Sequence, residues 1–363
     1  MKKSDYTIDK IRKDIERSLQ SFLLYVKNKY RLGLSSDILL TGIEDFLKRK
    51  GKRIRPILFL LSYQGYTKRR KFSYQKLLKC SLAFELFHDF VLVHDDVINN
   101  SPLRRGKPTL HKLFSSQFVT STQSNIGFDL SIVAGDIIFS FAIDIFLSVE
   151  EDLLRKQLAL RKLAETGVFT GTGEFIDIVN SHRKVEKVTE KEVYLKYILK
   201  TAKYTFECPL LVGAILAGVN ESELRRLSKL GITLGKAFQI QDDLLGVFST
   251  SKDIGKSVIS DLDESKKTLL VWKAYENLDK KDRANLRKIL DKPKKKYGDL
   301  TKFKALIRKS GAHKYCLDQT LSLLNDTASI CAKLKMKKKY KVLFTNFLKE
   351  IFSKTESLAD SSS

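Results

Sequence analysis

The stretch Phe84-Glu85-Leu86-Phe87-His88-Asp89-Phe90-Val91-Leu92-Val93-His94-Asp95-Asp96-Val97-Ile98-Asn99 decides the fold. An apolar run of helical character ends in paired carboxylates. On a helix Asp95 and Asn99, at i and i+4, project from one face. On a strand Asp95 and Asp96 would point to opposite faces, and Asn99 would lie far along it. The helical reading gathers hard oxygen ligands on one surface. That suits Mg2+, an ion commonly held by a carboxylate or two plus substrate phosphates. Ser101-Pro102-Leu103-Arg104-Arg105-Gly106 follows. Its guanidinium forks match phosphate oxygens. Taken alone, the same residues would also suit a solvated helix end beside a charged loop.

A second stretch changes the balance. Gln239-Ile240-Gln241-Asp242-Asp243-Leu244-Leu245-Gly246 repeats the apolar-then-paired-Asp pattern far downstream. Together the two segments resemble the paired motifs of the trans-prenyltransferases, the short-chain polyprenyl diphosphate synthases. The resemblance runs in order from about Gly51 to Thr268, with weaker matches on either side. It implies an all-α, isoprenoid-synthase-type helical bundle around a central cavity. It also implies a homodimer, three Mg2+ ions, and two substrates: isopentenyl diphosphate and an allylic diphosphate.

The resemblance assigns roles along the chain. Gly51-Lys52-Arg53-Ile54-Arg55-Pro56 looks like the family's Gly-Lys-x-x-Arg-Pro loop, so Lys52 and Arg55 grip isopentenyl diphosphate. Pro56 disfavours helix at Arg55 and can open the next helix, whose N-terminus favours anions. His88, two turns before Asp95 on the same face, contacts the same substrate, and His94 is structural support. Arg104 and Arg105 match Arg-Arg-Gly, the first for the allylic diphosphate and the second for isopentenyl diphosphate. Gly135-Asp136 matches a helix start. Gly173-Glu174-Phe175-Ile176-Asp177-Ile178 resembles a helix lining the cavity. Lys200, Thr201 and Gln239 face the allylic group and the developing carbocation. The loop after Asp243, with Gly255-Lys256, Asp261 and Lys266, brings Lys256 and Lys266 to the allylic diphosphate. The catalytic set is then Asp95, Asp96, Asp242, Asp243, Lys200, Thr201 and Gln239, with Asp95, Asp96, Asn99 and Asp242 as metal ligands.

The chain departs from the family where its motifs usually end in a third Asp. Here Asn99 and Gly246 stand instead. Asn retains a carbonyl oxygen without charge, and Gly offers no ligand. Weaker Mg2+ affinity is the expected consequence. The same departures motivate an alternative: a non-catalytic or regulatory partner subunit of another synthase. A class I terpene cyclase would also ionise an allylic diphosphate at an Asp-rich helix, but it has no need of a second diphosphate pocket. Product length should be set along the helix before Asp95, by Phe90, Val91 and Phe87. An aromatic ring five residues before the first Asp, with no insertion in the motif, resembles the archaeal-type geranylgeranyl diphosphate synthases. Geranylgeranyl diphosphate is favoured, with farnesyl diphosphate as the near alternative.

Bulk properties fit one domain. The chain has 363 residues, 43% of them apolar and 30% charged. That is ample for a large core. No Pro/Gly/Ser-rich linker interrupts 1–363. An amphipathic N-terminal helix is expected at Ile8–Tyr30, and a frayed polar tail from about 355 to 363. The longest strongly apolar run, Pro209–Val219, is too short to span a bilayer, and the start lacks an apolar signal core. A cytoplasmic protein is expected. Cys80, Cys208, Cys316 and Cys331 lack metal-ligand spacing and read as buried thiols. The formal charge of +25 invites a nucleic-acid reading, but no binding motif accompanies it. At most it implies peripheral attraction to anionic membranes.

Overall fold

Thr7 starts the first helix by accepting a hydrogen bond from the Lys10 amide at 3.2 Å. Helix α1 (Ile8–Tyr30) then buries Ile8, Ile11, Ile15, Leu19, Phe22 and Val26, the stripe its spacing predicts. Each such side chain contributes about 1.5–3 kcal/mol on burial. This computed structural model describes residues 6–69, 71–118, 125–249, 262 and 265–355. Next come α2 (Leu32–Ser35), α3 (Asp37–Leu47), α4 (Ile54–Tyr66) and α5 (Tyr74–Ile98). A two-residue hairpin, β1 (Leu103–Arg104) with β2 (Lys107–Pro108), is the only sheet among the described residues.

Helices α6 (Leu110–Ser115), α7 (Ile126–Leu147), α8 (Leu153–His182) and α9 (Glu190–Lys196) follow. A capping box between Thr189 and Glu192 opens α9. The helix then widens into a π-helical segment, Tyr197–Glu207, before tightening again as α10 (Cys208–Leu216). After α11 (Glu221–Phe248), the chain continues through α12 (Leu269–Asn277), α13 (Lys280–Leu290), α14 (Tyr297–Lys309), α15 (Ala312–Ala332) and α16 (Lys338–Ile351). The all-α expectation holds.

Two long helices organise the rest. Helix α5 packs on α7, α4 and α1, while α11 packs on the π-helical segment and α15. The apolar interior forms a larger cluster, from α1 through α11 and α16, and a smaller one between Val185 and Leu317. Leu323 packs against both. Two glycines let the π-helical segment lie close to its neighbours. A Cβ at Gly173 would stand 2.4 Å from the Lys200 amide nitrogen, and one at Gly235 would stand 2.2 Å from Ala202 Cα. Any side chain there would drive α8 or α11 away from Lys200 and Thr201.

Two expectations are corrected. Gly135 and Asp136 lie in the middle of α7, not at a helix start. There, bare Gly135 lets α7 approach the His94 ring, and Asp136 stands 3.5 Å from His94 Nε2. The longest apolar segment is also not Pro209–Val219. Helix α7 is long and apolar enough to cross a membrane by length and composition. Asp129, Asp136 and Asp144 interrupt its sequence and mask it as a run. In the fold one side of α7 is buried against α5 and α6, while Ile132 and Val133 are exposed. All four cysteines are buried and free.

Candidate active site

A cleft of about 360 Å³ opens between α5, the loop before α4, the hairpin, the π-helical segment and α11. Helix α5 contributes His88, Val91, Leu92 and Asp95, spaced as one helical face. The opposite wall is Phe238, Gln239 and Asp242 of α11. Cations arrive from four further places: Lys52 and Arg55, Arg104 and Arg105, Lys200, and Lys266. A smaller chamber of about 90 Å³ adjoins it, lined by Asp177, Lys200, Gln239, Asp242, Asp243 and Lys266 among others.

The carboxylates and cations hold each other in place. Arg104 Nη2 donates to Asp95 Oδ2 at 2.9 Å, and its Nε donates to Asp96 Oδ1 at 2.8 Å. Burial disfavours the charge on Arg104, but Asp96 and Asp95 outweigh it and keep the guanidinium protonated. Lys200 is a three-way strut. Its Nζ lies 2.7 Å from Glu174, 2.8 Å from Asp177 and 3.4 Å from Asp95. Burial works against its charge too, and the three carboxylates hold its pKa above the usual value. The same burial is overcome at Asp177, where Lys196 and Lys200 hold the carboxyl well below the ordinary range.

The neutral groups are equally fixed. Thr201 Oγ1 donates to Gln239 Oε1 at 2.6 Å, and Gln239 Nε2 donates to Asp243 Oδ1 at 2.9 Å. Tyr197 donates its hydroxyl proton to the other Asp243 oxygen. Arg55 lies over the Tyr204 ring, 4.3 Å from its centroid, and donates to Thr205 Oγ1 at 2.7 Å. Such stacking restrains a guanidinium without neutralising it. Burial, reinforced by Arg55 and Arg105, holds the His88 pKa well below its ordinary value. The ring is therefore neutral at pH 7.

Not every residue singled out from sequence reaches the cleft. Asp96 is corrected: it is buried beneath Arg104 and anchors it, so it is not placed as a metal ligand. Neighbours on one helix differ by about 100°, and only one of Asp95 and Asp96 can face the opening. Asn99 is corrected as well. Its Nδ2 donates to Asp95 Oδ1 at 3.2 Å, and it lines a separate depression with Ile98, His182 and Lys267. Asp243 sits in the inner chamber rather than the cleft. Phe90 turns away from the cleft towards Phe139 of α7, 5.0 Å between centroids, and towards His94 at 4.7 Å. Phe87 is buried, with ring contacts to Phe90, Phe139 and Tyr204. Val91 is the chain-length candidate that lines the cleft. Gly255, Lys256 and Asp261 lie outside the described residues.

Several contributors escaped the sequence reading. Arg53 is fully buried in the left-handed region at φ 51°. It donates to Glu16 Oε1 at 2.7 Å, Glu85 Oε1 at 2.5 Å and the Arg49 carbonyl at 2.9 Å. Glu85 and Asp89 are also buried. Their signal was present: charges inside an apolar helical run must be paired. Tyr204 and Thr205 gave no signal, because their role follows from where Arg55 folds.

The match to known proteins agrees with this geometry. The polyprenyl synthetase family model matches residues 36–307. A short chain isoprenyl diphosphate synthase of Methanocaldococcus jannaschii is 31% identical over 256 residues, 70% of this chain and 71% of that one. A geranylgeranyl pyrophosphate synthase of Geoglobus acetivorans is 36% identical over 234 residues, 64% of this chain and 66% of that one. The crystal structure of geranylgeranyl pyrophosphate synthase from Corynebacterium glutamicum, complexed with isoprenyl diphosphate and magnesium, superposes with a TM-score of 0.87. It covers 95% of this chain and 99% of its own, at 24% identity. With a family model across three quarters of its length and both Asp motifs on one cleft, the chain belongs to the polyprenyl synthetase family.

Proposed function

We propose that the cleft joins an allylic diphosphate to isopentenyl diphosphate and releases a short-chain trans-prenyl diphosphate. One observation carries this: besides the buried Arg53, which is turned to Glu16 and Glu85, Asp95 and Asp242 share a cleft with six cationic side chains drawn from separate elements. Six cations exceed what one diphosphate needs, which supports two diphosphate subsites and speaks against a cyclase. Lys52, Arg55 and Arg105, with His88, suit isopentenyl diphosphate. Arg104, Lys200 and Lys266 suit the allylic partner.

Mg2+ fits the donor set. Among the described residues no three His, Cys, Asp or Glu side chains form a metal cage. Asp95 and Asp242 would each hold the ion by hard oxygens, with diphosphate oxygens and water completing the shell. When bound, Mg2+ stabilises negative charge on the departing diphosphate.

The chain's own residues do the rest. Arg104, Lys200 and Lys266 neutralise charge as the allylic C–O bond breaks, which is electrostatic stabilisation rather than nucleophilic catalysis. The Thr201 and Gln239 oxygens lie beside the resulting carbocation. Val91, Leu92, Tyr204 and Phe238 provide an apolar wall that keeps water from the cation. The π-bond of isopentenyl diphosphate attacks, and a proton then passes to released diphosphate. No side chain is needed as the base.

A geranylgeranyl product is consistent with the geranylgeranyl pyrophosphate synthases named above, and farnesyl diphosphate is the near alternative. The exposed apolar residues Ile132 and Val133 of α7, and Val168, Phe175 and Val179 of α8, support a homodimer in which a second copy covers them. Light scattering of the chain in solution tests this: a monomer at micromolar concentration would sink it. For the activity, the purified chain is supplied with Mg2+, isopentenyl diphosphate and each allylic primer, and the dephosphorylated products are separated. Elongated prenyl diphosphates are expected. No product from the chain alone would favour a partner subunit instead.

A further inference from the structure

Under the Arg105 side of the cleft lies a carboxylate pair whose oxygens are only partly hydrogen-bonded. Glu85 and Asp89 stand one turn apart on α5, and both are buried. Glu85 Oε1 accepts from Arg53 at 2.5 Å. Its Oε2 and both oxygens of Asp89 accept no hydrogen bond among the described residues. The nearest cation to Asp89 is Arg105, with Nη2 at 3.5 Å from Oδ1 and 3.7 Å from Glu85 Oε1. Arg53 gives its hydrogen bonds to Glu85, Glu16 and the Leu47 and Arg49 carbonyls, and acts on Asp89 only through space. Arg55 is turned to Thr205 and Tyr204. His88 beside the pair is neutral.

We propose that Asp89 is a positioning residue for Arg105: it holds that guanidinium at the cleft wall, and takes up a proton when a diphosphate draws the guanidinium's charge. This rests on reading the cleft's Arg105 side as the isopentenyl diphosphate subsite. The reason is charge balance. A buried carboxylate without a cation is costly, and the cheapest relief is protonation. Arg105, 3.5 Å away, supplies the cation. A diphosphate that pairs with Arg105 withdraws it and adds negative charge nearby. Burial, with Glu85 alongside, already pushes the Asp89 carboxyl up despite Arg105. Burial also acts on Glu85, but there Arg53 and Arg105 outweigh it and hold the carboxyl down. Asp89, not Glu85, is thus the member that accepts the proton, which comes from solvent. Substrate binding therefore weakens as pH rises.

The test is titration calorimetry of isopentenyl diphosphate, without an allylic partner, into the full chain. Running it in two buffers of different ionisation enthalpy counts the protons taken up. The native protein and Asp89→Asn are compared, so that titration of the diphosphate itself cancels. The native protein is expected to take up roughly half a proton more near pH 7.5. Its affinity should fall by up to about tenfold per pH unit more steeply than that of Asp89→Asn, the limit for one linked proton. In turnover, the KM for isopentenyl diphosphate should lose this slope in the variant while the KM for the allylic substrate keeps its own. If Asp89→Asn does not fold, Asp89→Thr gives the same comparison. Saturable binding with equal proton counts in both proteins overturns the inference alone. No binding of isopentenyl diphosphate by the native chain overturns the reading of the subsite, and the inference with it.

Discussion

Gly173→Ala should cripple turnover while leaving the chain folded. The new methyl carbon would stand 2.4 Å from the Lys200 amide nitrogen and 2.8 Å from both Leu199 C and Lys200 Cα. Those are backbone atoms, so no rotamer change relieves the overlap. Ordinary contact needs about 3.5 Å, so α8 and the π-helical segment must part by about 1 Å. Overpacking of this kind costs about 1–3 kcal/mol. Replacing glycine inside a helix returns about 1 kcal/mol. The net loss is therefore about 0–2 kcal/mol, and the chain stays folded. The chemistry fares worse. Lys200 and Glu174 are displaced against each other, and with them the strut to Asp95 and Asp177. A misplacement of about 1 Å can cost on the order of a hundredfold in rate. Gly171→Ala, two residues earlier on the same helix, is the control, since a Cβ there meets nothing within 4 Å. It should gain up to about 1 kcal/mol and keep its turnover. The assay pairs urea unfolding with steady-state formation of prenyl diphosphate. Native turnover in Gly173→Ala, or an equal loss in Gly171→Ala, would refute the argument that this close approach sets the site.

Asp95→Ala and Asp242→Ala should each abolish turnover and leave the far-ultraviolet dichroism unchanged; native-like rates in either would remove the metal assignment. Asn99→Asp exchanges a donor to Asp95, now 3.2 Å away, for a second carboxylate that needs a cation between them. The Mg2+ concentration for half-maximal rate should fall, and an unchanged Mg2+ requirement would show that position 99 stays away from the ion. Val91→Phe should shorten the products because Val91 lines the cleft, whereas Phe90→Ala should leave their length unchanged; the opposite pattern on chromatography would return the floor to Phe90. Arg53→Met leaves buried Glu85 with only Arg105, 3.7 Å away, and should cost up to about 3–5 kcal/mol in denaturant unfolding. A loss below about 1 kcal/mol would mean that Glu85 finds another partner.

What the sequence made legible was the chemistry along single elements. Asp95, His88 and Val91 fall on one face because helical periodicity puts them there, and the structure lines the cleft with all three. The stripe of α1 was legible for the same reason. What it left hidden depends on contacts between elements. Asp96 and Asp95 read alike in the motif, yet Arg104 returns over the helix end and draws Asp96 inward. Phe90 looked like a tunnel floor when α5 was considered alone; the packing of α7 against α5 gave its ring a partner in Phe139. The family pattern likewise assigned Lys200 by position, without the three carboxylates that restrain it. Those carboxylates come from α5 and α8, and meet Lys200 because α8 lacks a side chain at Gly173. The same logic explains why the cleft is so fully ion-paired. Cations gathered in one cleft repel one another, and the buried carboxylates hold them in place. Under the proposed function, a diphosphate that pairs with Lys200 or Arg105 must displace Asp95, Glu174 and Asp177 from the one, and Asp89 from the other. Each exchange leaves a carboxylate that has to meet a metal ion, another cation or a proton. At Asp95 the metal can fill that place; at Asp89, sealed beneath the wall, a proton is the available one.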